Sequence, residues 1–481
     1  MSPTGRSEPS KTWTRQVPAK RNLNKNTHPK HKKTLNLRSG APINAIILGA
    51  AGRDFHIFNV YFKNNPKYRI VAFTAAQIPG IANRRFPKEL SGPNYPNGIR
   101  IYPEEKLPEL ISNYNVEEVV LSYSDLSNEE IMHKASSVLA NGADFLLLSP
   151  ETTMLKSKKP VVSICAVRTG AGKSTVARKV SSMLRKKGYE VIIVRHPMPY
   201  GNLRRQIVQR FETYEDLDRY ECTIEEREEY EPHLDNNFVV YAGVDYEKIL
   251  KEAEKEADII LWDGGNNDLP FFKPGLHIVV ADPLRPGHEM SYYHGEMNVR
   301  MANIIIINKV RSADPEAVET VNRNLKELNP KAVIVKAASK ILVDKPELIE
   351  GKRVLVIEDG PTVTHGQMSF GAGTMAAEKF GAMEIVDPRP FALGSLKGVY
   401  KEYPHLKKIL PSMGYGKRQI KELEETINRI DCDTVVFGNS TDLRRVMKID
   451  KPTVKVGYAL EEINGDSLEK ELGNFLKAFK P

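Results

Sequence analysis

From residue 43 almost to its end, the chain repeats short apolar runs that are separated by glycine-rich turns and amphipathic helical stretches. Runs at residues 43–48, 70–73, 119–122 and 145–148 predict the strands of a first block. Parallel strands are buried on both faces, so they occur in sequence as continuous apolar runs with helical crossovers between them. The pattern therefore predicts a doubly wound α/β fold, in which ligands bind at the carboxyl ends of the strands.

A polar stretch at residues 149–159 ends the first block and predicts a domain boundary. The apolar runs after this stretch predict a second and a third block of strands, at residues 161–166, 191–194, 238–241, 259–262, 278–281 and 304–307, and then at 353–357, 435–437 and 454–456. These two blocks form either one sheet or two adjoining ones, and the pattern is compatible with both. No internal repeat of solenoid period is present.

The excess positive charge of the chain lies in a single segment. The net charge is +9, with 70 Lys or Arg against 61 Asp or Glu. Residues 1–40 hold ten of the basic residues and one acid, Glu8, so the remaining chain carries 60 of each sign. The segment has few apolar residues and no periodicity, which predicts a disordered basic tail. We expect nucleic-acid contact only through this tail.

The composition excludes several classes of protein. No apolar run approaches the roughly 20 residues that a membrane-spanning helix needs, and no secretory signal is visible. The three cysteines, Cys165, Cys222 and Cys432, form neither a disulfide framework nor a set with metal-ligand spacing. We therefore expect a cytoplasmic protein without membrane contact.

Residues 168–175, with the sequence RTGAGKST, follow directly after the predicted strand at residues 161–166. Glycines let backbone N–H groups converge on phosphate oxygens, and a following helix adds its N-terminal dipole. In such a P-loop the lysine reaches the β- and γ-phosphates and the hydroxyl after it binds Mg²⁺. We therefore predict a site for ATP and Mg²⁺, with nucleotide contacts from Thr169, Gly170, Ala171, Gly172, Lys173, Ser174 and Thr175.

This motif divides the chain into a disordered tail over residues 1–40, a Rossmann-like α/β domain over 41–155 and a P-loop NTPase domain over 156–345. A C-terminal α/β portion over 346–481 is either separate or part of the NTPase domain.

The P-loop also departs from the usual motif, because its first glycine would fall on Val167. With Arg168 next, it resembles the P-loop class of dethiobiotin synthetase and the nitrogenase iron protein. That resemblance implies a homodimer and a catalytic action of Arg168 on phosphate.

Two further segments complete the predicted nucleotide site. Asp263 ends the predicted strand at residues 259–262 and precedes two glycines, so we predict that it binds Mg²⁺ together with Ser174; Asp268 is a weaker candidate, and an Asp in this place can also be a simple turn former. Asn308 and Lys309 follow another strand and resemble the base-binding motif of GTPases. Since Arg311 stands where the guanine-binding Asp is expected, the sequence favours ATP over GTP.

Polar groups after other strands predict a pocket for a small anionic substrate. In the first block, Arg53, Asp54 and His56 follow the turn that begins at Gly49, which lacks the full dinucleotide motif and so argues against bound NAD. The alternative to substrate binding is that each of these polar residues is a solvated surface residue, or that the glycine turn only allows a helix to pack closely on its strand. The remaining candidates for substrate binding are Arg195, His196, Arg204, Arg285, His365, Lys417 and Arg418.

Taken together, these motifs resemble archaeal cyclic 2,3-diphosphoglycerate synthetase over residues 43–475. The segments that carry the resemblance are GAAGRDFH at residues 49–56, VRTGAGKS at 167–174, WDGGNND at 262–268 and EDGPTVTHG at 358–366. The resemblance implies an ATP- and Mg²⁺-dependent ligase that closes 2,3-diphosphoglycerate into its cyclic anhydride and releases ADP and phosphate. The alternatives are a ligase or kinase for another small phosphorylated acid, and a nucleotide-dependent switch or chaperone acting on a protein partner.

The tail generates the first testable prediction. Deletion of residues 1–40 should leave the melting temperature and the ATP-dependent activity nearly unchanged, because the segment has too few apolar residues to contribute to a core. Any binding to polyanions should disappear with it and should fall steeply with salt in the full-length chain. Thermal unfolding and turnover of the two proteins, measured side by side, check this; an inactive truncated chain would show that the tail takes part in the site.

Overall fold

The apolar runs form the mainly parallel strands of two sheets, which confirms the predicted α/β class. The computed structural model describes residues 40–75, 81–196, 201–265, 268–364, 367–412, 417–438, 442–463 and 467–479. All of the elements given below belong to one compact unit, Pro42–Pro481. The predicted disordered tail falls on residues 1–39, which lie outside the described residues, and the predicted domain boundaries remain predictions.

The first sheet has six strands in the order β3-β4-β2-β1-β5-β6. All neighbours are parallel except β3 and β4. The strands are β1 Ile43–Leu48, β2 Tyr68–Ala75, β3 Arg85–Phe86, β4 Ile99–Pro103, β5 Glu118–Leu121 and β6 Asp144–Leu147. The helices of this block are α1 Gly52–Ile57, α2 Lys88–Ser91, α3 Leu107–Asn113, α4 Asn128–Ala140 and α5 Pro150–Thr153.

The second sheet contains 13 strands, which come from both of the later blocks. In chain order they are β7 Val161–Ala166, β8 Val191–Val194, β9 Gln209–Phe211, β10 Val240–Ala242, β11 Ile259–Trp262, β12 Leu276–Ala281, β13 Ile304–Ile307, β14 Val333–Val343, β15 Arg353–Asp359, β16 Glu384–Ile385, β17 Ile409–Ser412, β18 Thr434–Gly438 and β19 Thr453–Glu462. Their order across the sheet is β16-β15-β18-β19-β14-β13-β12-β7-β11-β8-β10-β9, and β17 pairs with β15.

The helices of these blocks connect the strands or pack beside them. They are α6 Lys173–Lys186, α7 Tyr214–Arg219, α8 Ile224–Leu234, α9 Tyr246–Glu256, α10 His288–Ser291, α11 Tyr293–Met301, α12 Pro315–Leu328, α13 Gly360–Val363, α14 Ala372–Lys379, α15 Ser395–Glu402, α16 Lys417–Arg429 and α17 Ser467–Lys477. None of the helices in the described ranges is both long enough and apolar enough to cross a bilayer.

Strand β14 joins the two later blocks into one sheet. Its first half runs parallel to β13, and its second half pairs with β19 in antiparallel register from Ala337↔Glu462 to Val343↔Val456. The apolar runs left open whether these blocks share a sheet, and the structure shows that they do. Strand β14 itself is not visible as an apolar run, because Lys336, Ser339 and Lys340 interrupt it and half of its positions are only partly buried.

The centre of the sheet positions the candidate site. Strand β7 lies between β11 and β12, and every residue of β7 is buried. Strand β13 next to β12 consists of four buried isoleucines, each of which contributes about 1.5–3 kcal/mol of transfer free energy on burial. The carboxyl ends of these parallel strands meet at one edge of the sheet, where the loops that begin at residues 167, 263, 282 and 308 lie side by side.

Helix α8 is buried although its sequence, IEEREEYEPHL, is rich in charge. Its N-terminus is a capping box in which Glu226 and Thr223 each accept the other's backbone N–H. Charged side chains are seldom buried unless they are paired, and the pairs of this helix reach two parts of the chain. His233 contacts Asp263 of the P-loop block, and Glu231 lies 3.4 Å from Arg445 of the C-terminal block.

Candidate active site

The loop between β7 and α6 has the backbone shape of an anion-binding P-loop. Gly170 and Gly172 have φ values of 80° and 104°, in the left-handed region that favours glycine. A Cβ atom at Gly172 would also overlap the side-chain amide of Asn308. Both glycines are therefore needed for this loop to pack against the end of β13.

Three neighbouring side chains hold three successive carbonyl groups of the loop. Arg285 Nη2 donates to Thr169 O at 2.7 Å, Lys309 Nζ donates to Gly170 O at 2.6 Å, and Asn308 Nδ2 donates to Ala171 O at 3.0 Å. The C=O and N–H groups on either side of a planar trans peptide bond point in opposite directions. Holding these carbonyls fixes the orientation of the peptide planes in the loop, in which the N–H of Ala171 donates to Arg168 O at 3.3 Å.

These contacts place Asn308, Lys309 and Arg285 against the P-loop backbone. The nucleotide contacts predicted for Asn308 and Lys309, and the substrate contact predicted for Arg285, stay predictions. Asp282, at the end of β12, accepts from both cations, at 2.8 Å from Arg285 and 3.0 Å from Lys309. Burial raises the pKa of Asp282, but Lys309 and Arg285 together lower it below its usual range.

Asp282 was not recognised in the sequence analysis. The available signal was its position, because it follows the apolar strand β12 in the same way that Asp263 follows β11. A carboxylate at the carboxyl end of a buried parallel strand is a candidate for binding a ligand or for supporting the ligand-binding loops at that edge of the sheet.

Asp263 is fully buried and lies at the centre of a charge network. Its Oδ1 atom is 2.7 Å from Lys173 Nζ, and its Oδ2 atom is 2.9 Å from Arg195 Nη1 and 2.8 Å from His233 Nε2. Burial alone would raise the pKa of Asp263, but Arg195, then Lys173 and His233, hold it well below its usual range. Asp263 is therefore an anion that is surrounded by donors.

The same network makes Lys173 easier to deprotonate than an ordinary lysine. Burial and then the charge of Arg195 lower the pKa of Lys173 to about 8, although Asp263 opposes the shift. In this arrangement Lys173 contacts the carboxylate. A bound triphosphate would draw the lysine away from Asp263, because the β- and γ-phosphates carry more negative charge than one carboxylate.

The residues present fit ATP with Mg²⁺. Lys173 and Ser174, at the first turn of α6, line the cavity, and Asp263 is the carboxylate that Lys173 contacts. In the parts of the chain that the structure describes, no group of three or more His, Cys, Asp or Glu side chains could hold a metal ion. Mg²⁺ at phosphate sites commonly takes only one or two protein ligands and fills its shell with phosphate oxygens and waters. Ser174 and Asp263 would supply such ligands.

Arg168 is held by residues of the first and the second block of the chain. Its guanidinium lies 3.7 Å from the centre of the Tyr292 ring and is buried; Nε is 2.9 Å from Asp125 Oδ1, and Nη1 is 3.1 Å from His288 Nδ1. Asp125 also accepts from the Thr169 hydroxyl at 3.2 Å. Asp125 thereby ties the loop after β5 to the P-loop. The predicted action of Arg168 on phosphate stays a prediction.

The P-loop forms one wall of a cavity of about 360 Å³. The opposite wall comes from α8 and from the C-terminal block, and it contains four acids, namely Glu229, Asp235, Glu358 and Asp359. One lysine of that wall, Lys455, lies 3.4 Å from Asp235. Apolar side chains of Met368, Phe370 and Met375 lie beside the acids. The cavity therefore joins a phosphate-binding wall to a wall that is acidic and apolar.

Glu358 is buried where it can accept several hydrogen bonds. It takes the backbone N–H groups of Gly371, Gly373 and Thr374 at 3.1, 3.2 and 2.7 Å, and the Thr374 hydroxyl at 2.8 Å. These donors form the N-terminus of α14. Burial nevertheless outweighs the donors and raises the pKa of Glu358 to about 7.

The structure does not bring the candidates of the first block to this cavity. Arg53 Nη1 lies 3.3 Å from Asp268 Oδ1, and His56 stacks on Phe271 with its Nε2 atom 2.7 Å from Thr153 O. Asp54 accepts from Ala51 N at 2.7 Å and from the Ser122 hydroxyl at 2.5 Å. The carboxylate of Asp54 fills the turn at Gly49, where a Cβ atom would overlap it.

The other predicted substrate groups divide into two sets. Arg195 belongs to the Asp263 network and also pairs with Glu229, while burial, then Arg195 and Lys173, lower the pKa of the adjacent His196 to about 3. The second set is exposed and lies outside the cavity lining that the described residues form: Arg204, which pairs with Glu89 at 3.1 Å, Lys417, and Arg418, which pairs with Glu422 at 2.9 Å. His365 lies outside the described residues.

Comparison with known proteins identifies the family. No known family model matches the chain. The chain is 61% identical over 432 residues to "Arginine synthetase ArcE" of Thermococcus kodakarensis, and the match covers 90% of this chain and 96% of that protein. The chain belongs to the family of this arginine synthetase.

The resemblance predicted from the motifs is confirmed as a more distant relationship. A "Cyclic 2,3-diphosphoglycerate synthetase" of Pyrococcus furiosus is 23% identical over 261 residues, which are 48% of this chain and 58% of that protein. Among solved structures, the "apo" form of LpxK from Aquifex aeolicus in complex with ATP is 12% identical, with a TM-score of 0.40, and covers 77% of this chain and 99% of that one. The two sequence relatives are both named synthetases.

The Asp263 network generates the second prediction. Asp263→Asn should lower the free energy of unfolding by about 3–5 kcal/mol, because it leaves buried cations without their counter-charge. Lys173→Met should cost less, since Arg195 still neutralises Asp263 and His233 still contacts it. Urea unfolding measures both changes. Asp258→Asn, an exposed acid just before the same strand, is the matched control, and equal stability of the two Asp→Asn variants would contradict the network.

The lowered pKa of Lys173 generates the third prediction. In the protein without ATP, Lys173 loses its proton near pH 8. Bound phosphate favours the charged form of Lys173, so above that pH the binding of ATP takes up a proton. The Kd for ATP should therefore rise between pH 8 and about pH 10, by up to about tenfold per unit. In Lys173→Arg the guanidinium stays charged, so the profile should be flat, although binding can be weaker. Calorimetric titrations at several pH values check this, and a flat profile for the unaltered protein would contradict it.

Proposed function

We propose that the protein is an ATP-dependent synthetase that forms arginine. The observation that carries the proposal is a cavity that is lined both by a P-loop and by acidic and apolar side chains. A guanidinium group is a planar cation with five N–H donors, which carboxylates accept in pairs. The aliphatic part of such an amino acid would contact Met368 and Phe370 on the same wall.

The P-loop wall supplies the phosphoryl-transfer half of the reaction. Lys173, Ser174 and the N–H groups of the loop are arranged for a triphosphate, and bound Mg²⁺ would neutralise charge that develops on the transferred group. The chain's own residues have little covalent work in such a step, since positioning and electrostatic stabilisation supply most of the acceleration. Breaking the bond between the β- and γ-phosphates leaves ADP and transfers the γ-phosphoryl group to an oxygen of the acceptor.

The second half of the reaction follows from the product. The guanidino carbon of arginine carries three nitrogens, so the bond closed at the expense of ATP is a carbon–nitrogen bond at that carbon. The acceptor is then a ureido compound, whose carbonyl oxygen takes the γ-phosphoryl group. Ammonia or an amine forms the new carbon–nitrogen bond at that carbon, the bond from the carbon to the phosphorylated oxygen breaks and releases inorganic phosphate, and the attacking nitrogen gives up a proton. The acidic wall suits this product, because positive charge is spread over the guanidinium that is formed.

Formation of cyclic 2,3-diphosphoglycerate, which the motifs suggested, is the second candidate. Its support is the distant relative that covers 48% of this chain, together with the cations Arg178 and Lys455 in the cavity lining. A diphosphorylated acid would, however, meet Glu358 and Asp359 on the far wall, and like charges within a few ångströms repel. The much higher identity to an arginine synthetase over 90% of the chain also favours the first proposal.

The fourth prediction tests the reaction from the product side, where the compounds are known. Arginine, ADP, phosphate and Mg²⁺ should yield ATP, which luciferase detects, because a ligase reaction is reversible. Lys173→Ala should reduce the rate by about 100-fold or more while the chain stays folded. In parallel, phosphorus NMR follows 2,3-diphosphoglycerate with ATP and Mg²⁺.

Each outcome of this pair of assays has one meaning. ATP formation that depends on arginine supports the proposal. Growth of anhydride phosphorus signals without any response to arginine would replace it by the second candidate. Absence of both activities would defeat both, and would point to another acceptor or to a nucleotide-dependent switch.

A further inference from the structure

One loop of the first block, residues 122–127 between β5 and α4, reaches the P-loop. Asp125 in this loop is partly buried, and its carboxylate contacts two P-loop residues. Its Oδ1 atom lies 2.9 Å from Arg168 Nε, and its Oδ2 atom accepts from the Thr169 hydroxyl at 3.2 Å. A single side chain outside the P-loop sequence thus contacts the two residues with which the P-loop begins.

The backbone of Asp125 has an uncommon conformation. Its φ is 69°, in the left-handed region that residues other than glycine seldom adopt and that Asp and Asn adopt more readily than most. Such a conformation persists where the surrounding structure fixes it, and it occurs often at functional sites. Glycine would suit this backbone, but glycine has no carboxylate with which to contact Arg168 and Thr169.

The same loop is joined by backbone contacts to the segment that follows α10. Ser127 and Tyr292 form an antiparallel bridge. The N–H of Tyr293 donates to Leu126 O at 3.3 Å. The loop that carries Asp125 is therefore fixed against the segment that carries the Tyr292 ring.

Three side chains hold the guanidinium of Arg168. The Tyr292 ring centre lies 3.7 Å from the guanidinium carbon, Asp125 forms an ion pair with Nε, and His288 Nδ1 accepts from Nη1 at 3.1 Å. Arg168 also lines the cavity, as Lys173 does. Because a guanidinium has five N–H donors, a group that is held in this way can still bind phosphate.

Asp125 also supplies the charge that the buried guanidinium requires. The side chain of Arg168 is only 3% exposed, and a buried cation is unfavourable unless a counter-charge lies beside it. Residues 167–175 contain no acid, so the counter-charge has to come from another part of the chain. The ion pair with Asp125 provides it from the first block.

We propose that Asp125 is a positioning residue of the ATP site, which holds the Arg168 guanidinium and the beginning of the P-loop in the orientation that binds the triphosphate. The inference rests on the ATP-binding half of the proposed function and applies to either acceptor. It gives the first block a part in nucleotide binding through the loop after β5, which no motif of that block predicted.

The fifth prediction is a double-mutant cycle on ATP binding at pH 7. Asp125→Asn suits the backbone, since Asn also adopts positive φ, but it removes the charge beside Arg168. This variant should raise the Kd for ATP with Mg²⁺ by about tenfold, because charge-assisted contacts are the strong ones. Arg168→Met should raise the Kd at least as much, and the double variant should stay within about threefold of Arg168→Met alone. Isothermal titration calorimetry measures each Kd.

The control is Asp144→Asn, which changes an exposed acid at the start of β6 in the same block and should leave the Kd for ATP unchanged. A role of Asp125 in stability alone would lower the urea midpoint of unfolding without changing the Kd of the folded protein. If Asp125→Asn does not fold, Asp125→Glu keeps the charge but displaces the carboxylate by one methylene, and it should raise the Kd by about threefold.

Three results would overturn the inference. The first is an unchanged Kd for ATP in the folded Asp125→Asn variant, or in Asp125→Glu where that variant replaces it. The second is a cycle in which the effects of Asp125→Asn and Arg168→Met simply add. The third is a weaker binding in Asp125→Asn that Arg168→Met does not share, since Asp125 would then act independently of Arg168.

The outcomes separate the inference from the proposed function, because ATP binding is measured without an acceptor. If arginine supports ATP formation and Asp125→Asn keeps the same Kd for ATP, the inference fails and the proposed function stands. If arginine gives no turnover, the proposed function fails, and a non-additive loss of ATP binding in the cycle still supports the assignment of Asp125.

Discussion

The buried carboxylate of Asp263 is the interaction on which the site depends. An ionised carboxylate that is fully removed from water is strongly destabilising unless donors surround it. Lys173, Arg195 and His233 converge on Asp263 from the P-loop, from the end of β8 and from α8. One anion thereby sets the position of the phosphate-binding lysine and of the helix that leads away from it.

Helix α8 connects this network to the C-terminal block. His233 contacts Asp263 and Glu229 pairs with Arg195, whereas Glu228 and Glu231 contact Ser412 and Arg445 of the C-terminal block. A helix moves as a unit because its backbone hydrogen bonds are internal. A ligand that moved Lys173 away from Asp263 would change the charge balance of the network that includes His233 at one end of α8. Other residues of α8 contact the C-terminal block.

The sequence motifs identify the nucleotide-binding loop better than the rest of the cavity. The P-loop is eight consecutive residues whose chemistry depends on local backbone shape, so it is recognisable in sequence. The acids of the cavity come from two places that are distant in sequence, namely residues 229 and 235 on and after α8, and residues 358 and 359 at the end of β15. Resemblance in the P-loop and its neighbouring turns therefore pointed to a phosphorylated acid, while the assembled cavity and the 61% identity favour arginine.

The sequence by itself determined the α/β class, the strands that are buried on both faces, and the loop of residues 168–175, because each of these depends on local periodicity or on glycine. Tertiary structure decided the rest. Strand β14, mostly partly buried or exposed and interrupted by lysines, joins two blocks through its pairing with β19. Asn308 and Lys309 hold P-loop carbonyls almost 140 residues away, and Arg53 pairs with Asp268 of another block. Such pairings are set by which strand ends meet in the sheet, and no local pattern of residues carries that information.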